Sequence, residues 1–65
     1  MEQCSVYCIN TKTDIIADIL ERTDKRIKVA LVETDMTITL SRKVTTQPYI
    51  GFLTGLEFET FGDME

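Results

Sequence analysis

Histidine is absent from this chain of 65 residues, and cysteine, proline and glycine are scarce at two, one and three residues. Each shortage excludes something. Without His there is no side chain ready to act as a general base near neutral pH, and no Cys–His or Ser–His pair to activate a nucleophile. No glycine-rich phosphate loop is present either, so no catalytic residue is assigned and no enzymatic activity is expected. The two thiols, Cys4 and Cys8, lack the second pair of ligands that a tetrahedral zinc site needs, so neither a metal nor a cofactor is expected. If Cys4–Cys8 is a strand, its ends lie about 13 Å apart at roughly 3.3 Å per residue. A disulfide spans at most about 7 Å between Cα atoms. The thiols are then small buried hydrophobes that share a strand face with Val6.

Long apolar runs are missing as well. Nothing approaches the roughly 18 continuous apolar residues of a membrane span, and the opening residues have neither a basic start nor a small-residue cleavage site. No membrane association and no signal peptide are expected. With unpaired thiols, that points to a reducing, intracellular setting, the cytoplasm. Bases are missing from residues 44–65, where Glu57, Glu59, Asp63 and Glu65 account for the whole net charge of −4. Net acidity argues against broad nucleic-acid affinity, which rests on phosphate contacts. One local exception is the cluster Arg22, Lys25, Arg26 and Lys28, opposed only by Asp24. These four are candidate phosphate contacts, or else a solvated turn and an exposed strand face.

What is present is alternation. Ile27, Val29 and Leu31 alternate with Lys28 and Ala30, and Met36, Ile38 and Leu40 alternate with Thr37, Thr39 and Ser41. Side chains on a strand point to opposite faces in turn, so each run has one apolar face. Arg26 to Leu40 therefore reads as an antiparallel hairpin with a tight connection around Thr34-Asp35. Before it, Cys4 to Ile9 is a first strand or extended arm, and Asn10 to Asp14 is turn chemistry. Ile15 to Leu20 is ambiguous: apolar residues at 15, 16, 19 and 20 fit a short helix, while Ile15, Ala17 and Ile19 also alternate. The strand is favoured, because the polar turn Glu21 to Lys25 leads back into Arg26 as a hairpin partner.

After Leu40, Ser41 to Pro48 is a loop, Tyr49 to Thr54 and Leu56 to Phe61 are strands, and Gly62 to Glu65 is an acidic tail expected to be disordered. Gly51 and Gly55 fall where bends are expected. The sum is a single all-β domain, residues 1–65: a small, strongly bent five-stranded barrel. A chain this short buries only about 60% of its unfolded surface. With no disulfide or metal to help, self-association is the expected source of further burial. Tyr7, Ile50, Phe52, Phe58 and Phe61 are the candidate interface residues. Glu57 and Glu59 face water or a basic partner.

Val32-Glu33-Thr34-Asp35-Met36-Thr37-Ile38-Thr39-Leu40 resembles the first motif of the Sm-like family: a hydrophobic residue, an acid, two variable residues, Met, Asn and then a Leu three positions on. Leu53-Thr54-Gly55 resembles the second motif, an aliphatic residue followed by Arg and Gly. The resemblance covers residues 15–61 and extends to compact members found in phages, which would place the chain in a host cytoplasm. It implies a bent barrel assembled edge to edge into a homo-oligomeric ring, with protein partners or single-stranded RNA as ligands. By family position the RNA-binding residues would be Asp35, Thr37, Thr54 and Gly55. Here Asp35 replaces the stacking ring, Thr37 the base-reading Asn and Thr54 the Arg. Stacking is worth about 1–3 kcal/mol per base, so these replacements favour a structural, protein-binding role over RNA binding.

Overall fold

The computed structural model describes residues 2–63. They form six strands: β1 (Gln3–Cys8), β2 (Thr13–Arg22), β3 (Arg26–Leu31), β4 (Thr37–Ser41), β5 (Tyr49–Leu53) and β6 (Leu56–Thr60). Consecutive strands pair antiparallel, and β1 pairs with β6 to close a barrel measuring 26 × 26 × 21 Å. There is no helix among the described residues, and so none that is long and apolar enough to cross a membrane.

Period 2 builds this core. Cys4, Val6 and Cys8 from β1, Ile27, Val29 and Leu31 from β3, and Ile38 and Leu40 from β4 all point inward and are buried. Ala17 and Ile19, Tyr49, and Phe58 complete the interior from the other three strands. Each fully buried aliphatic or aromatic side chain contributes about 1.5–3 kcal/mol. Both cysteines are free and buried.

Ile15 to Leu20 is strand throughout, inside β2. Its alternation turns Ala17 and Ile19 inward and leaves Ile16 and Leu20 outward and exposed, and these two outward apolar residues are what blur the period. A bulge between Ile19 and Glu21 then shifts the register against β3, setting Glu21 opposite Lys28 and Arg22 opposite Ile27.

The strand count is six, not five. The opening segment is no loose arm: β1 lies in register with β2 along its length and with β6 at Tyr7↔Glu59 and Cys8↔Phe58. The β3–β4 connection is also longer than expected. It spans residues 32–36, because the Asp35 amide bonds the Leu31 carbonyl at 2.8 Å, the Leu31 amide bonds the Met36 carbonyl at 2.7 Å, and Asp35 takes φ 57°. Val32 and Met36 are consequently exposed. The tail departs from expectation too, since Gly62 and Asp63 are held by hydrogen bonds; Met64 and Glu65 lie outside the described residues.

Candidate interaction surface

The up-and-down order sends the connections to two poles. The β1–β2, β3–β4 and β5–β6 turns share one pole. The β2–β3 turn, the β4–β5 loop, the start of β1 and the end of β6 share the other. All four residues at Sm-like motif positions fall at the first pole. Asp35, Thr54 and Gly55 are turn formers with φ of 57°, 51° and 81°, and Thr37 opens β4. Thr54 and Gly55 are the two central residues of a two-residue hairpin turn, and positive φ at both is the mark of type I′.

The basic residues gather at the opposite pole and on the β3 flank beside it. Arg22 ends β2, Lys25 lies in the turn, and Arg26 and Lys28 stand outward on β3. Arg26, Lys28 and Arg22 line an open cleft of about 340 Å³ with Glu21, Thr23 and Thr39. Two further bases, Arg42 and Lys43, join this pole, and sequence reasoning missed them. The missed signal was the antiparallel pairing of β3 with β4, which sets Ser41 opposite Arg26 and so brings the next two residues to the β2–β3 turn.

Two of these cations are occupied within the fold. Arg42 donates from Nε to the Asp24 carbonyl at 2.6 Å and from Nη1 to the Gln47 carbonyl at 3.4 Å. Its guanidinium also lies 4.0 Å from the centroid of the Tyr49 ring, a cation–π contact. The buried Tyr49 hydroxyl donates to the Thr23 carbonyl at 2.8 Å. Arg22 donates from Nη1 to the Gly62 carbonyl at 3.2 Å and from Nη2 to the Phe61 carbonyl at 3.4 Å. Arg22 therefore fastens the segment after β6 and is no free phosphate contact.

That segment folds back over β1. The Ser5 amide donates to the Asp63 carbonyl at 2.9 Å. The Thr60 hydroxyl donates to the Ser5 carbonyl at 2.6 Å and accepts from the Gly62 amide at 2.9 Å. Gly62 has φ 82°, and a Cβ there would come within 3.0 Å of the Arg22 guanidinium. The result is an exposed Phe61 on a pinned backbone, overlooking a cleft of about 260 Å³ lined by Tyr7, Pro48, Asp14, Glu59 and Asp63 among others.

The remaining interface candidates separate by parity. Ile50 and Phe52 point outward on β5, and Phe52 is 70% exposed. Tyr7 is half-buried and faces outward on β1. Phe58 is instead core, opposite Gly51 and Cys8, because β6 turns Phe58 and Thr60 inward and Glu57 and Glu59 outward. Beside the β5 face, the β4–β5 seam is in register at Ser41↔Ile50 alone.

One buried thiol is electrostatically distinct. Burial pushes the Cys4 thiol up from its ordinary value, by more than its hydrogen bond with Thr60 and the charge of Arg22 pull it down. Comparison with family models, with curated proteins and with solved structures finds no match for this chain, so its chemistry is read from its own surface.

Proposed function

We propose that the chain is a non-enzymatic, Sm-like barrel that assembles with copies of itself into a ring and serves as a structural, protein-binding module. The observation that carries this is the outer face of β5, where Phe52 is 70% exposed and Ile50 stands beside the sparsely paired β4–β5 seam. Apolar surface left in water forgoes about 25 cal/mol per Å² of burial. Contiguous exposed apolar patches mark interaction sites. Barrel closure gives β1 and β6 a partner on both sides. Copies therefore join through the outward side chains of β5 beside the sparsely paired β4–β5 seam, not through a fully open border.

Light scattering on the purified protein tests this. The expected mass is a whole multiple of 7.4 kDa, falling to the single-chain mass in Phe52→Glu with an unchanged circular dichroism spectrum. A folded wild-type monomer at micromolar concentration contradicts it.

One observation favours a second reading, single-stranded RNA held at the basic pole: Arg26 and Lys28 line the cleft there and Lys43 lies in the adjoining loop. The Sm-like motif positions lie at the other pole, so such binding uses phosphate contacts and must weaken steeply with salt. Labelled U-rich and A-rich oligonucleotides that fail to bind at low salt dispose of it for those ligands.

A further inference from the structure

The outer surface of the barrel is electrically two-sided. In the closed order β6 lies three strands from β3 in either direction, so the two occupy opposite flanks. Along one flank a registered row runs Asp14, Tyr7, Glu59 across β2, β1 and β6. Along the other, β3 presents Arg26 and Lys28, both exposed, with Glu21 opposite Lys28. Charges on opposite flanks cannot satisfy one another within one copy. They can between copies.

We infer that the cleft between Tyr7 and Phe61 accepts a cationic side chain, Arg26 or Lys28, from the β3 flank of a second copy, so that copies join head to tail. This rests on the self-assembly reading above and says which surfaces meet. Tyr7, Phe61 and Pro48 supply apolar walls; Asp14, Glu59 and Asp63 supply carboxylates; and no base is among the lining residues. That combination suits Arg and Lys, whose apolar stems lie along rings while their charged heads reach carboxylates. Arg22, the nearest guanidinium to the rim, is engaged with the Phe61 and Gly62 carbonyls.

The rim is also ordered in advance. The hydrogen bonds among Ser5, Thr60, Gly62 and Asp63 hold the backbone around Phe61 in place although the residue is 55% exposed. A rim fixed before contact loses less entropy on binding. Pro48 lines both this cleft and the groove beside Ile50 and Phe52, so the acceptor is continuous with the β5 face. A contact between unlike flanks is heterologous and closes into a ring when its rotation permits.

Paired charge reversals test the inference. The flank variant is Arg26→Glu with Lys28→Glu; the cleft variant is Asp14→Lys with Glu59→Lys. None of the four side chains is buried, and circular dichroism checks that both variants fold. Each variant alone is expected to raise the dissociation constant of the assembly at least about tenfold through like-charge contact. An equimolar mixture restores assembly, because the reversed charges then meet, and Phe61→Ala weakens assembly with all charges intact. If the wild type assembles and both variants assemble as tightly, the inference is overturned while assembly through β5 stands. If only the cleft variant is impaired, the cleft takes part in assembly but its cation does not come from the β3 flank, and the inference is overturned. A wild type that never assembles removes the self-assembly reading and this one with it.

Discussion

Thr54 holds a conformation its side chain opposes. A β-branched residue at φ 51° is a steric outlier, tolerated because a type I′ turn demands positive φ at both central positions. Its hydroxyl, 2.7 Å from the Leu53 carbonyl, offsets part of the cost. Thr54→Asn, which gives the Asn-Gly pair this turn prefers, is expected to stabilise the barrel by about 0.5–2 kcal/mol in urea denaturation. At the other pole, Tyr49→Phe removes the hydroxyl that satisfies the Thr23 carbonyl. The expected loss is about 1 kcal/mol, read from the same denaturation curves. Cys4 sets a pH dependence. Its folded thiol gives up its proton later than an unfolded one, so its contribution to stability is whole below the ordinary thiol value. That contribution fades as pH rises from that value through the raised one. Wild type should therefore lose more stability than Cys4→Ala between about pH 7.5 and about pH 10.5, a range spanning ordinary thiol ionisation.

Among the elements, the weak joint is β4 against β5. Gly51 is what lets these strands approach: a Cβ there would meet the Thr39 carbonyl oxygen at 2.7 Å and the Leu40 side chain at 3.0 Å. Gly51→Ala must push backbone aside, and overpacking of this kind costs about 1–3 kcal/mol. Amide exchange in Gly51–Leu53 and Thr37–Leu40 should accelerate before exchange elsewhere in the barrel. This joint also shows how far sequence reading reaches. The alternation at Ile27, Val29 and Leu31 and at Leu56–Thr60 was legible because parity depends on nothing outside each strand. The β4–β5 approach was not, because it depends on which backbone passes Gly51. The pinning of Phe61 was hidden for the same reason: it joins Arg22 to carbonyls 39 and 40 residues away. In sequence alone Arg22 is a phosphate contact or a solvated cation and Gly62 the start of a loose tail; the fold sets the Arg22 guanidinium against the Phe61 and Gly62 carbonyls and ties Gly62 and Asp63 to Thr60 and Ser5. At Ile15 to Leu20 the outward apolar residues Ile16 and Leu20 blur the period, yet the following polar turn identifies the strand.

For the molecule as a whole, the sorting of charge by flank and pole matters more than the net charge of −4. Composition shows that bases are missing from the last third of the chain, but only closure sets β6 against β1 and opposite β3. Head-to-tail contacts between such flanks are screened by salt, with a Debye length of about 8 Å at physiological ionic strength. Assembly mass should therefore fall as salt rises. An assembly held by Ile50 and Phe52 alone should resist, and light scattering across a salt series separates the two contributions.

The link from the Ser5 amide to the Asp63 carbonyl brings the first and last strands together at one pole. The polypeptide can accordingly be re-cut. A short linker joining the segment after β6 to the start of β1, with new termini opened in the exposed 32–36 connection, would keep every strand pairing while changing the order in which the strands are synthesised. Such a circular permutant should reach the same barrel.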